Sequence, residues 1–233
     1  GQTEVSIRLA DPAGNTASYA PRVALDFSKP LLLSSTPSQT TFKTGDTVFY
    51  TLNVSEPLSG TPGRPVLHVF ADGVEQAGFF GAPIAETDTS FTYSRSVAWM
   101  VPQTYTVTVD LADVAGNAQS GVPAAGWLLD PVPPQITAVS VTSNNPNTGT
   151  LAKEGDVVTA VFSIDKALPS DPAVTLGASV MRPLSKTGSG PYTYTFYSRP
   201  VQISDGEGLT SVMVTATDSA GNVGAKNIGG VTY

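Results

Sequence analysis

Apolar residues along this chain recur at every second position. In "TGDTVFYTLNVSEPL" (44–58) the apolar set is Val48, Tyr50, Leu52 and Val54, and in "EGDVVTAVFSIDKAL" (154–168) it is Val158, Ala160, Phe162 and Ile164. A period of two places such residues on one face of an extended strand, where they can be buried while the other face stays wet. The runs are short, β-branched or aromatic, interleaved with Thr and Ser, and bounded by turn residues, and no stretch carries the period of a long helix. The expected class is all-β.

The same pattern repeats at domain length. The pentapeptide Asp-x-Ala-Gly-Asn occurs as "DPAGN" from Asp11, "DVAGN" from Asp113 and "DSAGN" from Asp218, so the spacings are 102 and 105 residues, the size of a compact β-sandwich. An alternating strand precedes each copy, with Val5, Ile7, Leu9 matching Val107, Val109, Leu111 and Val212, Val214, Ala216. "TGDTVFYTLNVSEPL" and "EGDVVTAVFSIDKAL" match at an offset of 110, and Pro-bearing joints follow as "LDFSKPLLL" from 25 and "LLDPVPPQIT" from 128. The predicted organisation is a strand pair over 1–29 from a repeat whose front is missing, a complete repeat over 30–130, and another over 131–233. Each complete repeat offers about seven strands, the count of an immunoglobulin-like antiparallel sandwich.

The pentapeptide has the residues a hairpin corner demands. Gly14, Gly116 and Gly221 supply a positive φ, Asp11, Asp113 and Asp218 accept backbone N–H bonds across the turn, and Asn15, Asn117 and Asn222 leave it. The competing reading is calcium, which takes six to eight oxygen ligands. Asp110 and Asp113, with Asp130 in the following joint, are the predicted ligands, although the dense carboxylate spacing of a dedicated calcium loop is missing.

Composition narrows the function classes. Nineteen acidic against 12 basic residues give a formal charge of −7 with no Lys/Arg cluster, which excludes a phosphate-binding footprint and argues against nucleic acid. Apolar windows break at Pro, Gly or charge well short of the roughly 20 residues a helical span needs, so no membrane insertion is expected. The chain has no Cys, which together with its low charge and Ser/Thr/Gly richness leans toward a bacterial exported protein with self-sufficient cores. No cofactor is expected apart from the calcium alternative.

Catalysis finds no foothold. The single His, His68 in "PVLHVF", belongs to the outer face of a strand, no G-x-S-x-G elbow surrounds a Ser, and the carboxylates are scattered through turns. Two aromatic stretches could make a binding surface: Phe79 and Phe80 in "AGFFGAP", and Trp99 with Tyr105 in "VAWMVPQTY". The favoured reading is that these rings plug the sandwich ends. Residues 1–29 bury too little to be stable alone, which suggests that the pair joins a free sheet edge of the next repeat or of a neighbouring molecule.

The Gly-Asp turns (Gly45-Asp46, Gly155-Asp156), the "SEPL" and "DKAL" strand ends, the D-x-A-G-N corners, and Asp26 and Asp130 in the joints together resemble bacterial Ig-like repeat domains, the tandem modules of large surface adhesins and exported proteins. The resemblance covers nearly the whole chain. It implies a non-enzymatic stalk or spacer at the cell surface, whose partners are neighbouring repeats of the same parent chain. Two alternatives stand beside it: an adhesive module that binds a surface glycan or protein through loops of the 30–130 repeat, and accessory repeats of an extracellular enzyme with its catalytic domain elsewhere.

Overall fold

The computed structural model describes the chain apart from Gly1, Pro21, Thr61 and Pro62 and the side chains of Gln2, Val23 and Ala24. The strands are β1 (Gln2–Glu4), β2 (Ile7–Ala10), β3 (Thr16–Tyr19), β4 (Arg22–Ala24), β5 (Leu32–Pro37), β6 (Thr41–Phe42), β7 (Thr47–Val54), β8 (Val66–Ala71), β9 (Val74–Glu75), β10 (Ala85–Glu86) and β11 (Ser90–Ser96). They continue as β12 (Gln103–Ala112), β13 (Ala118–Leu129), β14 (Ile136–Ser143), β15 (Val158–Ile164), β16 (Ala173–Leu176), β17 (Ser179–Val180), β18 (Arg182–Thr187), β19 (Tyr192–Tyr197), β20 (Leu209–Thr217) and β21 (Val223–Thr232). A single 3₁₀ turn, Ile203–Asp205, is the helical structure among the described residues. The chain forms two compact units, one from residues 1–38, 48–95 and 105–126, the other from 39–47, 96–104 and 127–233.

In the second unit, one sheet runs β14–β15–β19–β18 and the other β17–β16–β20–β21. The first, second, fourth and fifth long strands of the repeat thus lie in one sheet and the third, sixth and seventh in the other, which is the immunoglobulin-like arrangement. The core between them takes Val158, Ala160, Phe162 and Ile164 from β15, Val174 from β16, Tyr194 and Phe196 from β19, and Val212, Val214 and Ala216 from β20. Phe162 stacks between Tyr194 and Phe196 at centroid distances of 5.7 and 5.8 Å.

Strands β5 to β13 repeat the plan. Their sheets run β10–β11–β7–β5 and β6–β13–β12–β8–β9. Val48, Tyr50, Leu52 and Val54 of β7 and Val107, Val109 and Leu111 of β12 are buried, as their alternation predicts. Tyr50 also donates its hydroxyl to the Ala125 carbonyl at 2.7 Å, joining β7 of one sheet to β13 of the other. Both first strands carry the same irregularity: the ladder skips Leu33 in β5 and Val139 in β14, and both side chains are exposed. A bulge of this kind turns a residue out of the pleat, so an apolar residue can sit in water without shifting the register of those after it.

The Gly-Asp turns ahead of β7 and β15 are also copies of one another. Gly45 and Gly155 have φ of +93° and +88°, a region that L side chains avoid. Asp46 accepts the Lys43 amide at 3.0 Å and Asp156 the Lys153 amide at 2.9 Å.

Residues 1–29 depart from expectation in two ways. β1 pairs with β4 and β2 with β3, each as a two-stranded ladder, so the strand addition expected onto the next repeat's sheet edge is not the arrangement this chain adopts. The following linker is instead tied down by Asn117 and Gln119, described below. Ile7 and Leu9, matched in sequence to the buried Val109 and Leu111 and to the buried Val214 and Ala216, are exposed because no second sheet among the described residues covers the ladder.

Truncating the central ring of the β14–β21 core tests its weight. Phe162→Ala should lower the stability of that sandwich by about 3–5 kcal/mol, the range for a fully buried Phe, with a matching fall in its urea midpoint.

Candidate functional site

Each corner Asp is a local cap. Asp11 accepts the amides of Ala13 and Asn15 at 3.0 and 2.8 Å and Asn15 Nδ2 at 2.7 Å. Asp113 accepts the Asn117 amide at 2.9 Å and its Nδ2 at 2.8 Å. Asp218 accepts the amides of Ala220 and Asn222 at 3.0 and 2.9 Å and Asn222 Nδ2 at 3.1 Å. Gly14, Gly116 and Gly221 sit at φ of +87°, +93° and +79°, and in every copy the Gly amide bonds back to the Asp carbonyl. One spelling recurs because one backbone geometry recurs.

The corner Asn does more than leave the turn. Asn117 Nδ2 also donates to the Asp26 carbonyl at 3.2 Å, and Asn222 Nδ2 to the Asp130 carbonyl at 2.7 Å. Each full repeat therefore grips the linker that leads into it. Gln119 adds a bond to the Pro30 carbonyl at 2.9 Å, and Lys43 Nζ donates to the Gly221 carbonyl at 3.0 Å. The linkers start alike: Asp26 accepts the Ser28 amide at 3.0 Å and Asp130 the Val132 amide at 3.1 Å.

Charge distinguishes the two joints. At the first, Asp26, Glu56 and the fully buried Asp113 each bring a carboxylate oxygen within 4.8 Å of the others. Partial burial and the negative charges of Asp26 and Asp113 push the Glu56 carboxyl above its usual range. Burial alone would raise Asp113, but the bonds from Asn117 and neighbouring backbone amides hold it low. At the second joint, Lys166 stands where the repeat alignment places Glu56, and its Nζ lies 2.8 Å from Asp130 and 3.1 Å from Asp218. Its third N–H goes to the Val132 carbonyl. Burial would lower the Lys166 ammonium, yet the two carboxylates outweigh it and raise its affinity for the proton.

The predicted calcium trio is corrected by these positions. Asp113 gathers with Asp26 and Glu56 rather than with Asp110 and Asp130. Asp110 is occupied on its own sheet, accepting the Gly121 amide at 2.7 Å, and Asp130 is neutralised by Lys166. Alternation along β12 puts Asp110 on the outer face of its sheet, whereas Asp113 begins the corner beyond the strand end. Asp26, Glu56 and Asp113 offer hard carboxylate oxygens of the kind calcium takes. Glu56 was missed as a member of this carboxylate group although a signal existed: it is the charge-reversed position in two otherwise matched strand ends.

The aromatic stretches pack inward. Phe79 and Tyr105 are buried with ring centroids 5.4 Å apart, and Phe80 meets Phe79 edge-on at 4.9 Å while lying 5.7 Å from both Tyr50 and Tyr93. Phe79 and Tyr105 are thus not exposed faces for a ligand, because burying rings inside the sandwich is worth more than leaving them wet. Trp99 is half-buried, with its carbonyl accepting Thr44 Oγ1 at 2.6 Å, beside the exposed Met100.

His68 lies between two carboxylates: Nδ1 is 2.7 Å from Glu75 and Nε2 3.5 Å from Asp110. The hydrogen bond to Glu75 leads the causes that raise its pKa. An imidazole so placed favours its charged form, the opposite of a general base.

No family model matches the chain, and no curated protein matches it. Solved structures with similar folds include the titin Ig tandem domains A164-A165, at 13% identity over 86% of this chain and 95% of that one with a TM-score of 0.30. The Escherichia coli adhesin FdeC is 14% identical over 100% of this chain and 73% of its own, with a TM-score of 0.41. A Ca2+-stabilised adhesin with which an Antarctic bacterium binds ice is 12% identical, also with a TM-score of 0.41; this chain spans 56% of its length. The fold assignment itself rests on the strand order of the two sandwiches, which defines an all-β chain of immunoglobulin-like modules. No helix among the described residues is long and apolar enough to cross a membrane.

The His68 imidazole should titrate above the ordinary value of about 6.5. Its raised pKa contributes stability that is full below the unfolded value and lost as pH rises through the folded one. Following the His68 ring resonances by NMR, Glu75→Gln should bring the midpoint down toward the ordinary value.

Proposed function

We propose that this chain is a non-catalytic spacer segment of a bacterial exported or cell-surface protein, with a strand pair over 1–29 and repeats over 30–130 and 131–233. Its partners are the neighbouring repeats of its parent chain. The supporting observation is the linker grip, in which Asn117 and Asn222 cap their own corner Asp and hold the carbonyl of the Asp that opens the preceding linker. A device that fixes each repeat to the chain before it serves serial connection, and the motif recurs at repeat spacing for that reason.

The first joint takes calcium in this reading. Asp26, Glu56 and Asp113 supply the carboxylates, and an ion there would relieve the repulsion that raises Glu56. Protons compete with the metal at such a site, so affinity should weaken as Glu56 protonates.

Three outcomes test the reading. Asn222→Ala removes bonds to a buried carboxylate and to the linker, and should cost the β14–β21 sandwich about 1–3 kcal/mol in chemical unfolding, with faster amide exchange at Val132. Titration calorimetry should find one calcium equivalent in the parent sequence and none in Glu56→Gln. A broad glycan array should stay blank at low and millimolar calcium; saturable binding lost on Trp99→Ala would replace the spacer with an adhesive module.

A further inference from the structure

The two joints are built to one plan, residue by residue. Asp26 corresponds to Asp130 at the head of the linker, Ser28 to Val132, Asp113 to Asp218 at the head of the corner, and Glu56 to Lys166 at the end of the second long strand of each repeat. The Asx turns, corner caps and Asn grips are equivalent at both. Only the charge of the fourth residue is reversed. In one joint three carboxylates converge, and Glu56 accepts no hydrogen bond from a described residue. In the other an ammonium sits among the matching oxygens, and its three N–H groups are used up by Asp130, Asp218 and the Val132 carbonyl.

We infer that Lys166 is a built-in counter-cation: its Nζ takes at the 130–134 joint the place a divalent cation takes at the 26–30 joint, so only the first joint responds to metal. The inference rests on the calcium reading for what fills the first joint. The ammonium is a compact point charge with three donors and no acceptors. It meets two carboxylate oxygens and one main-chain carbonyl, the ligand types that a hard cation selects. Being covalently attached, it cannot be chelated, diluted or displaced.

The test exchanges the two charges in the full chain. Calcium stoichiometry is read by titration calorimetry and native mass spectrometry, with circular dichroism checking the fold and amide exchange at Ser28 and Val132 reporting each linker. Lys166→Glu should gain one calcium equivalent over the parent sequence and make Val132 exchange slow in calcium and fast in chelator. Lys166→Met should gain no ion and exchange fast in both. Glu56→Lys should lose the ion of the first joint and keep Ser28 protected in chelator, and it decides the matter if Lys166→Glu fails to fold. Unchanged stoichiometry in Lys166→Glu, or loss of Ser28 protection in Glu56→Lys, overturns the inference. A parent chain that binds no ion sinks the calcium reading instead; a gain from zero to one in Lys166→Glu would then still support the lysine's role.

Discussion

A carboxylate removed from water must be surrounded by donors or cations, and the Asp that opens each D-x-A-G-N corner is the group on which this architecture turns. Asp113 and Asp218 are buried at the start of the last hairpin of their repeats. Backbone amides of the corner satisfy part of each, and the corner Asn satisfies more while its remaining N–H reaches the linker. Capping the turn and holding the joint are therefore one hydrogen-bond network, and neither can be altered alone.

The network leaves negative charge to be balanced, and the joints differ in how. Lys166 supplies the balance from within the chain at the second, whereas Glu56 adds a further carboxylate at the first. That a single strand-end position carries the reversal is a consequence of sandwich geometry: the end of the second long strand and the last hairpin corner meet the incoming linker at one pole. A substitution there changes joint chemistry without touching the core, whose apolar positions remain matched between the repeats.

Much of this was legible in the residues. Alternation identified the buried faces of β7, β12, β15 and β20 position by position, because a period of two on a half-buried sheet permits one set of inward residues. Turn chemistry located the corners and the Gly-Asp turns, since positive φ and local carboxylate caps demand those residue types. The same alternation misled for Ile7 and Leu9, where the pattern is present but no second sheet covers it. It was silent on Phe79, which lies in a loop and meets Tyr105 of β12 only in the folded sandwich.

The sequence by itself determined the all-β class, the repeat length, the inward faces and the shape of each corner, all of which follow from interactions within a few residues or from a strict periodicity. The tertiary structure alone decided which carboxylates share a site. Asp26, Glu56 and Asp113 are far apart along the chain and come together because a linker, a strand end and a hairpin corner converge at one pole. Coulomb interactions depend on that separation in space, so the difference between Glu56 and Lys166 becomes chemistry only once the fold has set their neighbours.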